Sequence, residues 1–232
     1  MNMVLRTIVV AAHGTRDPAG VAVAHQLADA LRARLPSSSV RLGFVDVLGP
    51  GVREMVASAP GPVTVVPAFL SSGYHVRVDV PREVAGTQRT DVTISSALGP
   101  HPLLVAAIAE RLREAGWRRG DAVVLAAAGS SDHRAVAEVR AAACLLSGQV
   151  GRRVRVGFVA TGAPRVAPLV AGLRAAGEPR VAVASWLLAP GLFSRRLETV
   201  QADVVAAPLG SHPRVVDRLA QLSGVSMALR SA

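Results

Sequence analysis

Lysine is absent from the 232 residues, so all 26 basic side chains are arginine, and against 16 acids they leave a formal charge of +10. That excess favours anionic partners. The arginines are nevertheless scattered singly or in pairs, as at Arg118-Arg119, Arg152-Arg153 and Arg195-Arg196, rather than gathered into a stripe or tail. Aromatic residues make up only 3%, with Tyr74 the single tyrosine, so stacking platforms for bases are scarce. Both features argue against nucleic acid and leave a small polycarboxylate or polyphosphate as the fitting anion. A disulfide needs two cysteines, whereas Cys144 is alone in an Ala-rich helical pattern, where it is expected to be a small buried hydrophobe. No apolar run approaches the roughly 18 residues of a membrane span. Met1 to Arg6 also lacks the basic region and apolar stretch of a signal peptide, so the expectation is a soluble, cytoplasmic protein with no membrane partner. Half the residues are apolar and 18% charged, which excludes a disordered chain and supplies a core of Ala, Val and Leu.

Short β-branched runs alternate with longer amphipathic stretches. The runs are Thr7 to Ala12, Val40 to Val47, Val63 to Leu70, Val92 to Ser95, Ala122 to Ala127, Val154 to Val159, Val181 to Leu188 and Val204 to Ala206. Each is nearly continuously apolar, as expected of strands covered on both faces in a parallel sheet. Between the first two, Val23, Leu27, Leu31 and Leu35 recur at helical spacing. Further helices are expected around Pro50 to Ala59, His101 to Ala115, His133 to Leu146, Pro164 to Ala176 and His212 to Leu222. The pattern is βα repeated, an α/β fold.

The two halves also match each other. Ile8 to Asp17 aligns with Val123 to Asp132 at an offset of 115, and Val40-Arg-Leu-Gly-Phe-Val45 with Val154-Arg-Val-Gly-Phe-Val159 at 114. Val63 to His75 aligns with Val181 to Phe193 at 118, and Leu98-Gly-Pro-His-Pro102 with Leu209-Gly-Ser-His-Pro213 at 111. General likeness of α/β units explains the Val/Ala runs but not the shared Val-Arg-x-Gly-Phe-Val and Leu-Gly-x-His-Pro strings. The expectation is two tandem lobes, 1–117 and 118–232, joined near Trp117 to Gly120, each a small parallel sheet flanked by helices. Ligands of such sheets bind beyond the carboxyl ends of the strands.

At those strand ends the halves diverge. His13 follows the first strand, Asp46 ends the second and His75 follows the third, whereas the aligned positions hold Ala128, Ala160 and Phe193. Neighbouring residues are kept, with Gly14 as Gly129, Asp17 as Asp132 and Gly73 as Gly191. A site retained in one lobe and erased in the other accounts for this. Two imidazoles and a carboxylate suit a borderline divalent metal such as Fe²⁺, Co²⁺, Ni²⁺ or Zn²⁺, and neutral imidazole also accepts protons near pH 7. His101 and His212 stand at equivalent helix starts before a proline and read as structural. His25 and His133 read as solvent-facing, and Trp186, Leu192 and Phe193 as filling the second lobe's core.

The strings His13-Gly-Thr-Arg-Asp-Pro18 and Phe69-Leu-Ser-Ser-Gly-Tyr-His-Val-Arg-Val-Asp-Val-Pro81, with Leu98-Gly-Pro-His-Pro102, closely resemble the sirohydrochlorin chelatase and cobaltochelatase family of class II chelatases. The resemblance implies a lyase that inserts a divalent metal into sirohydrochlorin without ATP, in siroheme or cobalamin biosynthesis, in a cleft between two α/β lobes. No tightly bound cofactor is implied, and the metal, Fe²⁺ ahead of Co²⁺, is a substrate. His13 and His75 would bind the metal and accept pyrrole protons. Asp46 stands where relatives often carry glutamate. The polycarboxylate macrocycle would also account for the positive charge, with Arg16 and Arg77 as candidate clamps. Gly14 and Gly73 would allow close approach, Thr15, Ser71 and Ser72 would add hydrogen bonds, and Tyr74 lies within the same string.

Two other readings compete. A histidine phosphatase would share the strand-His-Gly start, but Ala12 stands where its arginine belongs, and neither the duplication nor the longer string is explained. A non-catalytic metal or tetrapyrrole carrier would use the same histidines, and turnover separates it from an enzyme.

Overall fold

The computed structural model describes residues 6–224. The first four strands, β1 (Thr7–Ala12), β2 (Ser39–Phe44), β3 (Val63–Pro67) and β4 (Val92–Ile94), form one parallel sheet in the order β2-β1-β3-β4. Strands β5 (Ala122–Gly129), β6 (Val154–Thr161), β7 (Val181–Trp186) and β8 (Val204–Val205) repeat it as β6-β5-β7-β8. Every residue of β1, β3 and β7 is buried, as expected of nearly continuous apolar sequences, with Thr7, Thr64 and Ser185 the polar residues among them. The expected α/β architecture of two small parallel sheets flanked by helices is therefore present.

The duplication holds at the level of single hydrogen bonds. Helix α1 (Pro18–Arg34) is capped by Asp17, whose Oδ1 accepts from Ala19 N, and α5 (His133–Val150) by Asp132, whose Oδ1 accepts from Arg134 N. Each cap is itself held by the hydroxyl two residues earlier, Thr15 or Ser130. The shared Val-Arg-x-Gly-Phe-Val string also has a steric cause. A Cβ on Gly43 would sit 2.9 Å from Val52 Cα, and one on Gly157 3.1 Å from Val166 Cα. These valines open α2 (Val52–Ala57) and α6 (Val166–Ala175), so only glycine lets each helix start lie on its strand.

Two helical segments lie outside the sequence expectation. A π-helical turn, His75–Asp79, runs into α3 (Val80–Ala85), and α7 (Leu192–Glu198) occupies the equivalent place in the second repeat. The alternation of Val76, Val78 and Val80, with Pro81 close behind, reads as extended chain. Pro81 lacks the N–H that an α-ladder would direct at Arg77, and the preceding turn is wound more widely, with Val80 N donating to His75 O five residues back. Cys144 is exposed rather than buried, because the inward face of α5 is set by Ala135, Val139, Ala142, Ala143, Leu146 and Val150. Leu192 is likewise exposed, because α7 turns Phe193 and Leu197 toward the core and leaves Leu192 off that stripe; Trp186 is buried as expected.

Compact units and sequence repeats do not coincide. Among the described residues one unit is drawn from 6–98 and 215–224, the other is Gly99–Arg214. The division at residue 117 separates the repeats, but helix α4 (Pro102–Glu114), the last of the first repeat, packs against α5 and β7 of the second unit. The body of α8 (Pro213–Leu222) belongs to the first unit, where Asp217 pairs with Arg34 and Arg218 Nε donates to Leu98 O. Local periodicity marks these helices but carries nothing about which sheet covers their apolar faces.

Candidate active site

The order β2-β1-β3-β4 reverses direction between β1 and β3, and the crevice beyond the carboxyl ends of those two strands is the binding position of doubly wound sheets. His13 directly follows β1, and His75 opens the π turn after β3. Their rings meet edge to face with centroids 4.3 Å apart and planes at 78°. Phe69, in the segment leaving β3, stacks on His75 at 5.9 Å and 25°, and Tyr74 meets it edge-on at 6.3 Å. Gly14 makes this loop possible. Its φ is +91°, and a Cβ there would fall 2.0 Å from the Asp46 carbonyl oxygen, so the loops after β1 and β2 touch through the missing side chain.

Hydrogen bonds define which imidazole nitrogen is available. His13 Nδ1 lies 2.8 Å from Gly14 O, and His75 Nδ1 lies 2.7 Å from Asp79 Oδ2. A carbonyl only accepts, so His13 Nδ1 carries the proton, and donation from His75 Nδ1 to the carboxylate assigns that ring the same tautomer. In the neutral form of each ring Nε2 then holds the lone pair, the state needed to ligate a metal or accept a proton. Asp79 is itself buried, and Arg82 donates to its other oxygen at 2.7 Å.

The other expected site residues are arranged as follows. Asp46 is exposed and its Oδ1 accepts from Val47 N, and among the described residues no group of three His, Cys, Asp or Glu side chains is placed to hold a metal. The structure thus brings His13 and His75 together but does not bring Asp46 to them as a third ligand. Thr15 Oγ1 accepts from Asp17 N, which uses it in the α1 cap. Arg16 is exposed on the loop after β1 and Arg77 on the π turn, with Tyr74 61% exposed beside it. Ser71, Ser72 and Gly73 are half-buried between β3 and that turn, and a Cβ on Gly73 would meet nothing within 4 Å.

His101 and His212 have the shared structural role expected of them. Their Nδ1 atoms accept from Leu103 N and Arg214 N at the starts of α4 and α8, both at 3.2 Å. His212 Nε2 also lies 3.1 Å from Glu110, whose carboxyl is held below its ordinary range by a hydrogen bond from Arg214, aided by the charges of Arg214 and His212. His25 and His133 are exposed, as expected.

Phe69 and Asp79 are the site residues that sequence reasoning passed over. The signal for Asp79 was present, since His75 and Asp79 stand four residues apart, but it has meaning only once the segment is helical. In the second unit the 118-residue offset that relates His75 to Phe193 carries Asp79 to Leu197 and Arg82 to Val200. Leu197 belongs to the apolar core there, and Ala128, Phe193 and Val200 pack against it. Thr199 replaces Pro81, and α7 is α-helical where the first repeat has its π turn.

A duplicated doubly wound α/β fold with an imidazole pair at one switch point is that of a class II chelatase. The chain belongs to the CbiX family, whose model matches residues 7–115 and 122–223. It is 28% identical over 123 residues to a sirohydrochlorin cobaltochelatase of Methanococcoides burtonii, covering 46% of this chain and 94% of that protein. Its structure is similar to SirB from Bacillus subtilis with Fe³⁺, with a TM-score of 0.83 at 20% identity over 97% of this chain and 96% of the other. It is also similar to CbiX described as the terminal enzyme for siroheme biosynthesis in denitrifying bacteria, with a TM-score of 0.69 at 19% identity over 96% and 100% of the two chains. No helix among the described residues is long and apolar enough to cross a membrane.

Proposed function

We propose that the protein inserts a divalent metal into sirohydrochlorin without ATP, as a sirohydrochlorin chelatase of siroheme or cobalamin biosynthesis. The observation that carries this reading is the His13–His75 pair, 4.3 Å between ring centroids, with both Nδ1–H groups engaged by oxygen acceptors and both Nε2 lone pairs left for chemistry. Family membership and the cobaltochelatase relatives support it.

The reaction joins the macrocycle and M²⁺ and releases two pyrrole protons, so net charge is conserved and no redox partner is needed. Its demands are a base for each departing proton and donors that hold the cation near the ring until the pyrrole nitrogens take it. His13 and His75 meet both. Fe²⁺ and Co²⁺ are equally acceptable to neutral imidazole and both belong to the reading as substrates. The sirohydrochlorin cobaltochelatase relatives are a reason to assay Co²⁺ beside Fe²⁺. Arg16 and Arg77, on the loop after β1 and on the π turn, supply planar donors for the carboxylates of the macrocycle. Tyr74 offers an exposed aromatic face beside His75, with Ser71 and Ser72 as hydroxyl donors in the same segment.

The test is anaerobic absorbance spectroscopy with sirohydrochlorin and Co²⁺ or Fe²⁺ each in large excess over protein. Product exceeding protein many-fold is expected, with His13→Ala and His75→Ala each reducing kcat by about 10²–10⁴-fold. Stoichiometric pigment binding without turnover would instead make the protein a carrier, and full activity in both variants would remove the histidines from the mechanism.

A further inference from the structure

We propose that Asp79 is the positioning residue of this site: its buried carboxylate, clamped by Arg82, holds His75 in the Nδ1–H tautomer and leaves Nε2 as the ring's lone-pair nitrogen. The inference rests on the chelatase reading for its purpose, but its geometry stands by itself. Asp79 Oδ2 lies 2.7 Å from His75 Nδ1 and Asp79 Oδ1 2.7 Å from Arg82, so each oxygen has its own donor and the carboxylate cannot swing away without breaking one bond. The Asp79 side chain is 9% exposed and that of His75 34%, which puts the fixed end of the relay inside the fold and the working end toward solvent.

Backbone geometry accounts for the placement. The turn His75–Asp79 is π-wound ahead of Pro81, and it sets the imidazole and the carboxylate, four residues apart, within hydrogen-bond distance. A carboxylate that orients a metal-ligating imidazole through its second nitrogen is a general device, because a neutral ring without such a partner is free to carry its proton on the nitrogen the metal needs.

The second repeat supplies an independent observation. A buried carboxylate is costly, so it is retained only where something requires it. Where the histidine is absent, the whole relay is absent: Phe193, Leu197 and Val200 stand for His75, Asp79 and Arg82, and all three join one apolar cluster. A carboxylate needed only to build this helical segment would have no reason to disappear together with the imidazole.

The experiment uses full-length, metal-free protein with ¹⁵N-labelled histidine, read by long-range ¹H–¹⁵N correlation near pH 8, together with Co²⁺ titration followed by visible absorption and the turnover assay. In wild type the His75 proton is expected on Nδ1. In Asp79→Ala it is expected to appear on Nε2, with Co²⁺ affinity reduced about 10–100-fold. Asp79→Asn keeps an acceptor for Nδ1–H but presents an amide to Arg82, so it should fall between the two. Arg82→Gln, at a 60% exposed side chain, tests the clamp without emptying the interior and should give a smaller shift in the same direction. If Asp79→Ala does not fold, the Asn and Gln variants carry the test. A His75 tautomer unchanged across the variants that fold overturns the proposal, whether or not Co²⁺ affinity falls, because Asp79 would then have only a packing role. Absence of turnover in wild type would refute the chelatase reading while leaving the tautomer result to stand or fall by itself.

Discussion

The two switch points of this molecule are built on the same strands and filled with opposite materials. Beyond β1 and β3 stand two imidazoles, a buried carboxylate and an arginine; beyond β5 and β7 stand Ala128, Phe193, Leu197 and Val200 packed as core. The scaffold features between them, such as the Asp17 and Asp132 caps and the glycines of the first loops, are the same in both. A matched pair of this kind separates what the fold requires from what the chemistry requires, since features common to both units belong to the fold. The polar relay falls wholly on the other side of that line.

The sharpest way to break the comparison is to put the first unit's carboxylate into the second. Leu197 is 1% exposed and lies in an apolar cluster, so Leu197→Asp leaves a charge with neither imidazole nor arginine. A loss of at least about 3 kcal/mol is expected in urea unfolding, against a much smaller loss for Asp79→Leu with Arg82→Val, which removes all the charges of its own relay. Shared scaffold positions should instead respond alike. Gly14→Ala and Gly129→Ala place a methyl within 2.0 and 1.8 Å of the carbonyls of Asp46 and Thr161, at φ +91° and +97°. Each should lower stability by roughly 1–3 kcal/mol, and Gly14→Ala alone should also reduce turnover by displacing His13. The paired caps come next, with His101→Ala and His212→Ala each expected to cost about 1 kcal/mol in thermal unfolding.

The smallest effect concerns acid. Arg214 holds the Glu110 carboxyl below its ordinary range, so the folded chain keeps it ionised at pH values where the unfolded chain takes up a proton. That contribution is complete above roughly pH 4.3 and is lost as pH falls through the lower folded value. Glu110→Gln should therefore lower Tm slightly at pH 6 and flatten its decline between pH 5 and pH 3, as followed by circular dichroism.

The sequence was most legible where one local rule decides. All eight strands follow from nearly continuous apolar runs, and the doubled topology from the aligned strings, because Gly43 and Gly157 are fixed by contact with a helix start. The histidine pair was legible through its loss from the second repeat. The π turn and α7 were not, because alternating valines and a nearby proline mimic extended chain, and Asp79 was hidden with them. Cys144 and Leu192 were misjudged for a related reason: apolar character was visible, but which face of the helix met the sheet was not. Asp46, expected within the second strand, lies two residues past the end of β2, and its side chain turns back to accept from Val47 N.

The exchange of closing helices has a consequence for how the chain can be cut. A break in the loop around Trp117 to Gly120 looks harmless in sequence, since it falls between the repeats. The amino-terminal fragment would nevertheless carry α4 with Leu104, Val105, Ala107, Ile108 and Leu112 stripped of the α5 and β7 surface they bury against. The carboxyl-terminal fragment would carry α8 without the unit to which its Val215, Leu219 and Ala220 belong. Each product would be a sheet with a missing cover and a helix with no host. Expression of either repeat alone, or proteolytic nicking followed by separation, should therefore yield sticky, aggregation-prone pieces, and a shortened version of this protein would have to be spliced at residues 98 and 214 instead.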